Sequence, residues 1–153
     1  MTEANKKLVA DFISRVSAVL GGMDGDPYGL LDDDAVLVVN GTTPLSGVFY
    51  GKKEIHNIFV RTAARRLEKG EVALVDTVAE GNKVGVFLKV TAQTRNGKKF
   101  NAAADPSGCM FTVAEGKIIA IHFFPDTTQI ETILYERAFV SNRPSNTGKG
   151  GPP

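Results

Sequence analysis

Apolar residues recur at helical spacing near the start of the chain: Leu8, Val9, Phe12, Ile13, Val16, Val19 and Leu20. That spacing gathers them into one stripe of a helix, and Gly21-Gly22 ends the run. In "DGDPYGLL", Asp26 can cap and Pro27 can take the first helical position of one short turn. "AVLVV" (35–39) reads as a short, wholly apolar strand, and "NGTTPLSGVFYG" as a punctuated loop with an extended piece at 48–50. A second helix is predicted over 52–69, with Ile55, Ile58, Phe59, Thr62 and Leu67 on its inner side and Gly70 as its stop.

Beyond Gly70 the period falls to two. "EVALVDTVAEG", "KVGVFLKVTAQTR", "KKFNAAA", "GCMFTV" and "KIIAIHFF" are predicted strands, divided by "EGN", "NG", "DPS" and "AEG". Asn96-Gly97 signals a hairpin with a type I′ turn, since both residues tolerate positive φ. A third helix is predicted over 128–139. Residues 1–140 therefore read as one domain and the polar, Gly- and Pro-rich 141–153 as a flexible tail. Helices bunched before strands predict an α+β fold: a curved antiparallel sheet of about six strands wrapped around three helices, with a cone-like cavity between the layers.

Composition adds exclusions. The 153 residues suit one soluble domain, and a net charge of +1 gives no bulk attraction to nucleic acid or anionic membrane. The outer side of the second helix is basic (Lys52, Lys53, Arg61, Arg65, Arg66, Lys69), but without interleaved aromatic residues it reads as a solvated face. "NKKLVADFISRVSAVL" is amphipathic rather than a secretory h-region, and no stretch approaches a membrane span. The single cysteine, Cys109, precludes an internal disulfide and reads as a small buried thiol in a reducing cytoplasm. With only His56 and His122 in the chain, no metal-ligand spacing emerges, and no phosphate-cradling glycine loop or serine elbow is present. No metal and no cofactor are expected.

Two segments resemble a known family. "LLDDDAVLVVNGTTPLSGVFYGKKEIHNIF" is similar to the opening segment of the SnoaL-like polyketide cyclases, within the nuclear transport factor 2-like superfamily. The likeness rests on the acidic triplet Asp32-Asp33-Asp34, the Gly41-to-Pro44 loop, Gly47 and Gly51. "CMFTVAEGKIIAIHFFPDTTQIETIL" is similar to the closing hairpin of that family, which ends in an aromatic-x-Asp step before the last helix. The resemblance covers roughly residues 5–138. It implies a cone-shaped fold, a pocket for a hydrophobic substrate, one carboxylate that transfers protons, and homodimerisation. The cyclases and the related epoxide hydrolases place that acid at the end of the last strand, which falls on Asp126. Val38 stands where the ketosteroid isomerase base would be, and Gly108 or Cys109 where its oxyanion acid would be. "FLK" (87–89) stands in place of the hydrolase Arg-x-Asp.

In a strand alternate side chains share a face, which puts Ala120, His122, Phe124 and Asp126 together, opposite Ile119, Ile121 and Phe123. If the 122/124/126 face meets the cavity, His122 and Asp126 both touch one ligand there. Asp126 is then either the pocket acid or a helix N-cap; Thr128-x-x-Glu131 competes for the cap in the capping-box form. His122 is a functional group or a satisfied half-buried residue, Asn40 a pocket donor or a turn former, and Asp105 a turn residue or a cavity acid. Phe12, Val16, Val38, Phe59, Phe111 and Phe124 are the expected apolar walls, and His56 lies at the edge of the second helix's packing face.

Three functional classes follow. The first is a cofactor-free cyclase or isomerase acting on a hydrophobic carbonyl compound, with Asp126 moving the proton and Asn40 or His122 bonding the oxygen. The second is a binding module without chemistry. The third is an interaction domain whose cavity stays below ~300 Å³. Val84, Val86, Leu88 and Val90, or their alternates, would supply an outer face too apolar to remain wet, hence a homodimer.

Overall fold

In the computed structural model, which describes residues 2–137, helix α1 (Thr2–Leu20) lies in the hollow of a strongly curled sheet. Val9 and Ile13 are its buried anchors. The strands are β1 (Leu31–Val39), β2 (Gly47–Tyr50), β3 (Leu67–Glu80), β4 (Lys83–Thr94), β5 (Lys99–Phe100), β6 (Pro106–Ala114) and β7 (Lys117–Phe124). Six run in the order β2-β1-β7-β6-β4-β3, and the two-residue β5 pairs with β4 beyond them. The fold is α+β with three helices, as the pattern predicts, but the sheet is mixed, because β1 pairs parallel with β7. Period-two alternation identifies a strand without fixing its partner's direction. Here the long path from β1 to β7, through a helix and five other strands, supplies the crossover that a parallel pair needs.

Bulges curl the sheet. The ladder slips between Leu31 and Val36, between Leu67 and Lys69, between Leu74 and Asp76, and between Thr112 and Val113. Each extra residue bends its strand and increases the local twist, so the sheet closes towards a half-barrel around the helices. Its concave side carries Leu37, Val39, Val84, Val86, Leu88 and Phe111, all buried.

Some boundaries differ from expectation. The strand predicted over 35–39 begins at Leu31 and absorbs the acidic triplet, with Asp33 reaching out to Lys52 at 3.2 Å. The second helix spans 51–64, not 52–69, so Leu67 and Lys69 belong to β3. Arg95 ends it by donating to the carbonyls of Arg65 (3.1 Å) and Ala64 (3.5 Å). The central turns of this helix, Ile55–Val60, are π-helical, which rotates the phase of the apolar stripe: Ile55 and Phe59 face inward while Ile58 is exposed.

Turn chemistry also departs locally. At Asn96-Gly97 only the glycine has positive φ (82°), and Thr94 N–H closes on the Lys98 carbonyl, so this is a three-residue loop rather than a type I′ turn. Both residues of Glu115-Gly116 have positive φ (50° and 75°), and the I′-type hairpin sits there, between β6 and β7. The third helix runs over 127–134; the remainder of its predicted span from 138 on, and the tail, lie outside the described residues.

Candidate functional site

Between the concave sheet and the three helices lies a cavity of about 220 Å³. Its walls include the predicted Phe12, Val16, Phe59 and Phe111, joined by Ile55 and Val90. Phe12 meets Phe111 edge-to-face at 5.8 Å, and Phe49 meets Phe59 at 5.4 Å, so the aromatic rings that shape the hollow are held by one another. Polar side chains are few: Tyr28, Asn101, Ser107 and Asp126, with the thiol of Cys109. Burial pushes that thiol up to about 12, which leaves too little thiolate near neutrality for nucleophilic work.

Asp126 reaches this cavity by leaving strand geometry. β7 ends at Phe124, so alternation no longer governs Pro125 and Asp126, and both line the hollow. Asp126 is also the N-cap of the third helix: its Oδ1 accepts from the Gln129 N–H at 3.1 Å. It thus fills both roles that its sequence left open. Thr128 does not cap; it lies inside the helix, and its carbonyl accepts from the Thr132 hydroxyl. Gln129 does not close a capping box either, because its side chain accepts from Asn101 N–H at 2.6 Å. The Asp126 residue is exposed at the rim, and its Oδ2 accepts no hydrogen bond among the described residues.

The loop before β2 braces this rim. Gly41 has φ of +108°, and a Cβ there would come within 2.6 Å of the Thr127 side chain, so only glycine lets the loop lie against the start of the third helix. Ser46 ties the loop together: its hydroxyl donates to the Asn40 carbonyl and accepts from Thr43 N–H. Leu45 is thereby pressed into the cavity wall beside Ile130 and Leu134.

Five predicted site residues lie elsewhere: His122, Phe124, Val38, Asn40 and Asp105. Ile121 and Phe123 of β7 face inward, which sends His122 and Phe124 to the convex side of the sheet. Leu37 and Val39 do the same to Val38, which therefore builds no wall. His122 Nε2–H donates to Asn40 Oδ1 at 2.7 Å, and its ring stacks on Phe124 at 4.3 Å. The expected oxyanion donors bond to each other outside the cavity. The fifth, Asp105, is exposed, its backbone N–H donates to Asn101 Oδ1, and it does not line this cavity.

Sequence reasoning missed Tyr28 and Ser107. Ser107 sits in "DPS", which reads as a strand separator, yet β6 begins at Pro106; parity with Cys109 and Phe111 then turns it inward. Tyr28 falls in the short turn over Tyr28–Leu30, positioned because Asp26 Oδ1 accepts from the Tyr28 and Gly29 N–H groups. Among the described residues no three or more His, Cys, Asp or Glu side chains group to hold a metal ion, and no helix is long and apolar enough to cross a membrane.

Comparison with known proteins places this geometry. A nuclear transport factor 2-like protein of unknown function from Burkholderia pseudomallei K96243 superposes with a TM-score of 0.70 at 16% identity, over 86% of this chain and 97% of that one. TerC, crystallised with polyporic acid, gives a TM-score of 0.72 at 17% identity, over 86% of this chain and 98% of that one. A candidate SnoaL-like polyketide cyclase from Jannaschia sp. CCS1 gives 0.68 at 15% identity, over 90% and 95%. These likenesses establish the fold. A search of curated proteins found no match. The SnoaL-like domain family matches residues 19–121, two thirds of the sequence, a span that holds most of the curled sheet, and the chain belongs to that family.

Proposed function

We propose that this protein binds a small hydrophobic carbonyl compound in its apolar cavity and moves a proton on it without a cofactor, as a cyclase or isomerase. The observation that carries the reading is Asp126: a carboxylate at the rim of a largely apolar hollow, held through Oδ1 while Oδ2 accepts no hydrogen bond among the described residues. A ligand seated in the hollow with its α-carbon towards the rim would meet a carboxylate oxygen able to take a proton α to a carbonyl. The test is deuterium uptake from D₂O at the α-carbon of 1-tetralone, followed by NMR. Uptake above the buffer rate that saturates with ketone concentration is expected, and buffer-rate exchange with the ketone bound would end the reading.

A second reading, a non-catalytic binding or dimerisation module, is favoured by two observations. The predicted donors Asn40 and His122 are spent on each other outside the cavity. The volume of about 220 Å³ also falls below the ~300 Å³ at which ligand pockets usually begin. That reading predicts a bound ligand recovered unaltered.

We also propose a homodimer through the convex face. The cross-strand register aligns Val48, Val38, His122, Met110, Gly85 and Val78 in one row across the sheet. Val84, Val86 and Leu88 face the core, so the apolar outer surface comes from their alternates and neighbours: Phe87 is 54% exposed, Met110 44% and Val78 70%. Met110 leans over Gly85 and Phe87 over Gly108, spreading apolar surface across the gaps. A second copy would cover it, with Lys89 and Asp76 at a polar rim. Phe87→Glu is expected to halve the mass measured by light scattering while leaving the far-ultraviolet circular dichroism unchanged. An unchanged mass would remove this face from the interface.

A further inference from the structure

With Asn40 and His122 outside the cavity, a ligand oxygen inside it needs another donor. Tyr28 lines the cavity, and a phenol is a hydroxyl donor that can supply one. The residue is half-buried, its ring held edge-on against His56 at 4.6 Å and packed against the main core. Its backbone is clamped by Asp26, so the phenol projects from a fixed turn rather than a mobile loop. Burial, with the Asp26 carboxylate nearby, raises its pKa above the ordinary tyrosine value, and no hydrogen bond contributes to that shift. The hydroxyl therefore keeps its proton near neutrality.

Cavity size narrows the ligand. An apolar cavity of about 150 Å³ holds one benzene ring. A hollow of about 220 Å³ adds room for a second fused ring, not for four.

We propose that the ligand is a compact, neutral ketone of about two fused rings whose oxygen accepts a hydrogen bond from the Tyr28 hydroxyl. The inference deepens the proposed function and rests on its assignment of the cavity as a carbonyl-binding site. It assigns Tyr28, rather than Asn40 or His122, as the group that holds the oxygen. In a dry pocket a phenol aimed at a carbonyl oxygen favours the ketone over the hydrocarbon of equal shape, and bonds more strongly as charge grows on that oxygen.

The experiment compares 1-tetralone with tetralin, which has the same ring skeleton without the oxygen, and with a four-ring steroid ketone. Binding to wild type and to Tyr28→Phe is measured by calorimetry, and the carbonyl stretch of bound 1-tetralone by infrared difference spectroscopy. Tyr28→Phe keeps the ring, and unchanged tetralin binding shows that the cavity of the variant is intact. The expected result is a loss of about threefold to tenfold in affinity for 1-tetralone. Tetralin should be unaffected, the bound carbonyl stretch should move to higher frequency in the variant, and the steroid should not bind. Equal losses for ketone and hydrocarbon, no loss for either, an unmoved carbonyl band, preference for the four-ring ketone, or failure of wild type to bind 1-tetralone would each overturn the proposal. Deuterium uptake separates this from the parent reading: a Tyr28-dependent preference for the ketone without exchange strikes only the proton-transfer chemistry, and exchange indifferent to Tyr28 strikes only the present inference.

Discussion

Asp126→Asn is expected to leave folding and ligand binding intact and to lower the rate of proton exchange at least ~100-fold, the usual scale for a general acid–base group. The substitution is informative because Asp126 has two duties. As N-cap it accepts the Gln129 N–H at 3.1 Å, and asparagine caps a helix about as well as aspartate. The cap therefore survives while the proton-accepting oxygen is lost. Asp126→Ala removes both, and should additionally cost about 1 kcal/mol in urea denaturation. A Gln129→Ala control probes the remaining rim contact, since that side chain accepts from Asn101 N–H and holds the turn after β5 in place. Exchange rates of Asp126→Asn equal to wild type, with ketone bound, would reduce Asp126 to a structural cap.

That double duty shows where sequence reasoning holds and where it stops. The helical stripe of α1, the period-two strands and the closing turn are local patterns, and the fold follows from them. Leu37 and Val39 facing inward is likewise legible as alternation, but which of two alternating sets meets the helices is decided by sheet pairing and curl. Choosing the wrong set for β7 carried His122, Phe124 and, by analogy, Val38 to the wrong side of the sheet. Asp126 reached the cavity in spite of that choice, because alternation ends with β7 at Phe124. Ser107 was hidden by a strand boundary misplaced by two residues, and Ile58 by a π-helical turn that no 3.6-residue period describes. Tyr28 left no periodic signal, since a three-residue turn is too short to show one.

Which face is inside carries an energetic consequence that two phenylalanines can test. Phe111 is 1% exposed at the centre of the concave face and stacks edge-on with Phe12 across the helix–sheet boundary. Phe111→Ala should cost about 3–5 kcal/mol, from lost burial, the forfeited aromatic pair and a void that merges with the existing hollow instead of collapsing. For a domain whose total stability is of the order of 5–15 kcal/mol, this brings a large fraction of molecules near unfolding at physiological temperature. Phe124, with similar chemistry on a neighbouring strand, stacks on His122 at the convex surface. Phe124→Ala, measured at concentrations low enough for monomer, should cost under about 1 kcal/mol. The urea midpoints of the two variants should therefore separate widely, with equal slopes for the wild type and both variants. Equal destabilisation would mean that the two rings share one environment, and the inward orientation of Phe111, on which the cavity and its Asp126 rim depend, would fail.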